Sequence, residues 1–179
     1  MTPTPDIIAA RAHWQWRGDV RPDFAVMPKA GEESVWDYPR PPRIEPVEAS
    51  LTVAFGDDAI AATHAGQRVL ETSHPPTFYF PPEDVRVDHL SISAPVSHCE
   101  WKGLSANVST TRGDVIGWRL VKAYNEFREL EGWFSFYPAR VACSFDGERV
   151  APQPGPFYGG WVVRGITGPF KGAPGSSGW

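Results

Sequence analysis

A chain of 179 residues with 41% hydrophobic content is long enough for one domain with its own core, and needs neither disulfide nor metal for stability. A net charge of −4 argues against the basic face through which nucleic-acid proteins hold phosphates, and against a polybasic membrane surface. Two cysteines, Cys99 and Cys143, and no Cys-x-x-Cys pair argue against a zinc knuckle.

The N-terminal MTPTPDIIAARAHWQW lacks the basic and apolar stretches of a signal peptide, and no apolar run is long enough to span a bilayer. The expectation is a cytoplasmic protein with reduced thiols. Ile7 to Trp16 suits a turn or two of helix, with Trp14 and Trp16 free to dock. Pro22 to Pro46 is too proline-rich for regular structure and reads as an extended arm, so residues 1–46 form a Pro/Trp-rich N-terminal region.

From residue 47 the pattern is β. Ser50 to Phe55 alternates with period two and runs into Gly56-Asp57-Asp58, and Ala59 to Thr63 suits the return strand of a hairpin. Arg68 to Thr72 and Thr77 to Phe80 are further short strands, the second confined by Pro75-Pro76 and Pro81-Pro82 to an edge or a bend. Arg86 to Ile92 alternates. Gly103 to Ser109 and Val115 to Leu120 flank a hairpin turn at Thr111 to Asp114. Asn125 to Leu130 is the best internal helix, Gly132 to Tyr137 is a strand, and Val141 to Phe145 returns through Asp146-Gly147. Strands at this spacing predict a mainly β fold: a single antiparallel domain of barrel or sandwich type over residues 47–150. Residues 151–179 are rich in Gly, Pro and aromatics, and read as a C-terminal arm packed on the domain.

Several of these residues carry a family resemblance. Arg68-x-Leu70-Glu71, Pro76 with Tyr79 and Pro81, Asp84-Val85, Cys99-x-x-Lys102-Gly103, and Val141 with Asp146-Gly147 resemble the bacterial and fungal DUF427 family, also labelled nucleotidyltransferase-like. FYGGW (Phe157 to Trp161) and GPFKG (Gly168 to Gly172) resemble an extension found in one branch. The resemblance implies a tent-like β domain of the Mss4-like type. Relatives of that type hold zinc through paired Cys-x-x-Cys knuckles that this chain lacks, so no metal and no cofactor are carried over. Many family members have Cys-Pro-Tyr-Lys-Gly where this chain has Cys99-Glu100-Trp101-Lys102-Gly103.

The candidate site follows from side chains that sheet-building alone does not call for. Tyr79, Trp101 and Trp161 offer aromatic walls, and Lys102 and Arg68 offer cations for an anionic group. The first reading is therefore a module that binds a planar or anionic, nucleotide-like small molecule. A second is an enzyme, with Cys99 as nucleophile or with Glu71 and Asp84 as carboxylates for acid–base work on a phosphate-bearing substrate. A third is a structural protein that homo-oligomerises through its arms. Against the site reading stand bland roles: a packing cysteine, an aromatic-rich core, and Arg68 and Glu71 paired with Asp84 and Lys102 across strands.

Overall fold

The computed structural model describes residues 1–179 and is mainly β, with several open antiparallel sheets and no closed barrel. One four-stranded sheet has the order β10 (Phe134–Phe136), β9 (Val115–Ala123), β8 (Gly103–Thr110), β7 (Leu90–Cys99). A second has the order β12 (Glu148–Arg149), β11 (Ala142–Phe145), β3 (Leu51–Phe55), β4 (Asp58–Thr63). The alternation of β3 explains its orientation: Leu51 and Val53 are buried while Thr52 between them is exposed. The turn at Gly56 then sets Leu51 opposite Thr63. The β8–β9 hairpin closes where Thr110 N–H donates to the Asp114 carbonyl at 2.9 Å.

A three-stranded sheet of β2 (Arg43–Pro46), β5 (Gln67–Leu70) and β6 (Thr77–Tyr79) joins these. The strand expected at Thr77 to Phe80 lies where its prolines place it, at a sheet margin. Phe80 steps across to β10 and exchanges both backbone hydrogen bonds with Phe134, at 2.8 and 3.0 Å. Between the sheets lies the main core, including Leu51, Val53, Phe78, Phe80, Val108, Ile116, Phe134, Phe136 and Cys143. Each fully buried side chain of this size stabilises the fold by about 1.5–3 kcal/mol. A smaller cluster of Val69, Tyr79, Trp101, Leu120, Ala123, Phe127 and Leu130 lies apart from it, and it underlies the site.

Both terminal segments pack on the domain. The helix α1 (Pro5–Ala12) starts the chain and has no buried residue. The pair β1 (Glu33–Ser34) with β15 (Ile166–Thr167) is parallel, so N- and C-terminal segments are hydrogen-bonded to each other. The pair β13 (Ala151–Pro152) with β14 (Trp161–Val162) is antiparallel. Val35, Trp36, Tyr38 and Leu70 form a third cluster, flanked by Trp16, Phe170 and Trp179. No helix is long and apolar enough to cross a membrane.

Three elements differ from expectation. Arg43 to Pro46, read as part of the arm, is a strand that pairs with β5. Asn125 to Leu130 is a kinked 3₁₀ helix, because Phe127 and Leu130 both turn into the second cluster. The strand expected from Arg86 begins only at Leu90. Val85 bridges Ala61 and Arg86 N–H donates to Ile60 O, which ties this stretch to β4 and forces a 3₁₀ turn at Val87–His89.

Candidate functional site

The turn between β7 and β8 brings the site together. Gly103 has φ +121, and a Cβ there would collide with the Lys122 carbonyl oxygen. This glycine lets Glu100, Trp101 and Lys102 fold back over the end of the sheet. Glu71 and His74 arrive on the chain leaving β5, and Gln153, Phe157, Tyr158 and Gly159 arrive on the C-terminal segment. The cleft between them has a volume of about 280 Å³. Trp101, Trp118, Tyr137, Phe157 and Tyr158 supply its aromatic surface. A Cβ on Gly159 would overlap the Trp118 ring, so only glycine allows the segment to lie this close.

The charged groups are unequally satisfied. The Glu71 carboxylate lies 3.3 Å from Arg40 Nη2 and 3.9 Å from Lys102 Nζ. Arg40 is fully buried and also donates to the carbonyls of Trp16 at 3.1 Å and Thr72 at 2.9 Å. Burial pushes the Glu71 carboxyl up, but His74, Lys102, Arg40 and Lys171 outweigh it and hold the group below its ordinary range. Burial likewise opposes the Lys102 ammonium, yet Cys99, Tyr79, Glu71 and Glu100 together raise it, so it stays protonated. At 3.9 Å the contact with Glu71 is an ion pair without a hydrogen bond. Lys102 therefore keeps donors in a half-closed cleft with no acceptor from the protein.

His74 is held neutral. Burial lowers it to about 4 despite the neighbouring Glu71. Its Nδ1 lies 3.0 Å from the Thr72 carbonyl, which can only accept, so Nδ1 carries the proton and Nε2 is an open acceptor. The Tyr158 ring packs edge-on at 5.1 Å. Burial pushes the Cys99 thiol up, and Lys102 only partly offsets it. The Trp101 indole N–H is buried with no acceptor. Glu100 accepts from Trp14 Nε1 at 2.9 Å, and the Trp14 ring lies under Lys171 Nζ at 3.7 Å and Arg40 at 4.8 Å.

Of the residues singled out in the sequence, Cys99, Trp101, Lys102 and Glu71 line this cleft. Tyr79 lies just beneath it, fully buried, with its hydroxyl accepting from Trp118 Nε1 at 3.3 Å. Arg68 lies elsewhere, held by Glu33 at 3.1 Å and Glu45 at 2.7 Å rather than by Asp84, whereas the expected pair of Glu71 with Lys102 is present at 3.9 Å. Asp84 ends the 3₁₀ turn Pro82–Asp84 outside the cleft. Trp161 is a wholly buried member of the main core and donates to the Phe136 carbonyl at 3.1 Å. His74, one of three histidines (with His64 and His89) that could serve Cys99 as a base and that no spacing rule selects, and Trp118, one of many aromatics, also line the cleft. Gln153 carries no sign in the sequence; it is buried, donates to Lys171 O and accepts from Gly160 N–H.

The fold and site define a mainly β protein with a lateral aromatic cleft closed in part by its own C-terminal segment. A domain of unknown function (DUF427) matches residues 43–147, and the chain belongs to that family. No curated protein matches it. Gln153, Phe157, Tyr158 and Gly159 lie beyond the matched residues, as do Trp14 and Arg40 before them. The cleft is thus a composite of the shared domain and of segments outside it.

Proposed function

We propose that this protein is a small-molecule binding module whose cleft takes a compact planar ligand with an anionic group. The observation that supports this reading is Lys102: a protonated ammonium in an aromatic-walled cleft, with its nearest carboxylate 3.9 Å away and no hydrogen-bond acceptor. A volume of 280 Å³ lies just below the usual range of ligand pockets, about 300–1,000 Å³, which favours a small planar ligand with an acidic group. The open Nε2 of His74 would fix its orientation. A nucleotide-like ligand of monophosphate size belongs to this class. Binding is favoured over nucleophilic catalysis because a thiol raised by burial is a poor nucleophile at neutral pH. The reading includes the tent-like β architecture implied by the family resemblance and a cytoplasmic setting that keeps both thiols reduced.

The test is a thermal-shift and calorimetric titration with aromatic carboxylates and nucleoside monophosphates. At least one class raises the melting temperature of the wild-type chain by mass action, and Lys102→Ala abolishes the rise while retaining the fold. Failure of both classes on the wild type, or equal affinity in Lys102→Ala, overturns the reading.

A further inference from the structure

The C-terminal segment passes the cleft as one loop between β13 and β14, and its ends are pinned while its tip is not. Gln153 N–H donates to the Gly160 carbonyl at 3.0 Å, and Gly160 N–H donates to Gln153 Oε1 at 3.1 Å. Just beyond, Trp161 N–H donates to the Pro76 carbonyl at 2.9 Å. The Gly159 shoulder lies against the Trp118 ring, and the Pro154 shoulder lies against Gly172. Between these pins, from Pro154 to Gly159, no backbone N–H or carbonyl is hydrogen-bonded within the chain. Segments of this kind belong to the low-stability end of a fold, and this tip can turn without breaking a backbone hydrogen bond. At the tip, Phe157 is 74% exposed, the most exposed of the large apolar side chains, and it borders the cleft. Its ring meets the Tyr158 ring edge-on at 5.2 Å, and Tyr158 packs in turn on His74. A ring left in water at the rim of an aromatic cleft, on backbone that no hydrogen bond holds, gains burial by turning into that cleft.

We infer that Phe157 is the ring-recognising residue of the cleft, closing as a lid onto an aromatic anion whose acidic group lies on Lys102. The inference rests on the cleft being a ligand site, and it narrows the ligand to one that carries an aromatic ring. Trp118 on β9 and Tyr137 just after β10 are walls fixed by the sheet. Phe157 is the wall on a free tip. Stacked or edge-on against a ring, it sets the ligand between aromatic faces, a geometry that a ringless anion of equal charge cannot use. Closure also removes water from around the ammonium, and a charge-assisted contact strengthens as water leaves. A ringless anion meets Lys102 alone and leaves the lid open. The loop lies beyond residues 43–147, so the shared domain supplies the charge and the C-terminal segment supplies the selection for a ring.

Calorimetry with the full chain tests this, using indole-3-carboxylate and adenosine monophosphate as ring-bearing anions and inorganic phosphate as the ringless one. At least one ring-bearing anion binds the wild type, binds Phe157→Ala about 10-fold more weakly, and recovers in Phe157→Tyr. Inorganic phosphate binds all three chains alike or not at all. Phe157→Ala keeps the wild-type melting temperature, as a change at an exposed side chain should. Hydrogen exchange of the amides of Gly155, Phe157, Tyr158 and Gly159 is fast in the free wild type and slows when the ring-bearing anion saturates it. Those of Gln153 and Gly160 are slow in both states. Equal affinity of the ring-bearing anion for Phe157→Ala, a parallel loss for phosphate, or exchange that the anion leaves unchanged overturns the lid while the cleft stands as a binding site. Failure of both ring-bearing anions to bind the wild type overturns the reading of the cleft itself, and the lid with it.

Discussion

Arg68 and Lys102 stand at two stations of the molecule and are in opposite electrostatic states. Arg68, on β5, presents its whole guanidinium to Glu33 and Glu45 through contacts of 2.7 to 3.2 Å. Lys102 has one carboxylate at 3.9 Å and no hydrogen bond. Glu33 is further engaged by the Tyr38 hydroxyl at 2.7 Å, so the Arg68 station is saturated. The lesson is that a cation marks a binding site only where the fold leaves its donors unused. Arg68 ties the N-terminal segment to the three-stranded sheet. Lys102 leaves the cleft with a charge whose donors no protein group takes up.

That contrast can be broken or sharpened by experiment. The largest effect is expected from the packed side of the molecule. Trp161→Ala removes a fully buried ring and its hydrogen bond, and costs about 3–5 kcal/mol in urea unfolding. A loss below about 1 kcal/mol would mean that the C-terminal segment is only loosely held. Next, Lys102→Ala weakens an anionic ligand by about 10- to 100-fold in calorimetry, the worth of a charge-assisted hydrogen bond. Its unfolding free energy falls by under about 1 kcal/mol, because Arg40 still faces Glu71 once the 3.9 Å ion pair is lost. Arg68→Ala should show the reverse profile: about 1 kcal/mol less stable, with ligand affinity unchanged. If both variants behave alike, the distinction between the stations is wrong.

The remaining prediction is a pH slope. His74 is lowered from 6.5 to about 4 in the folded protein, so between those values the unfolded chain binds the extra proton. Its contribution to stability is complete above pH 6.5 and is lost as pH falls through about 4. His74→Gln should flatten that part of the stability profile, measured by urea unfolding across the range, and an unchanged slope would count against a buried neutral imidazole.

The sequence by itself determined the local elements of this protein. Alternation marked β3, and the turn signals at Gly56 and at Thr111–Asp114 marked the β3–β4 and β8–β9 hairpins, because side-chain period and turn chemistry act over a few residues. The Cys99 to Gly103 motif located the heart of the cleft for the same reason: its glycine is needed where it stands. Tertiary structure alone decided the partners. Arg68 and Trp161 read as site residues, yet Glu33, thirty-five positions away in sequence, took the first, and the main core took the second. His74 became neutral, and joined the cleft, only because the chain after β5 and Tyr158 from the C-terminal segment enclose it. Burial and pairing depend on residues distant in the chain, and no local pattern encodes which of several similar carboxylates or aromatics will arrive.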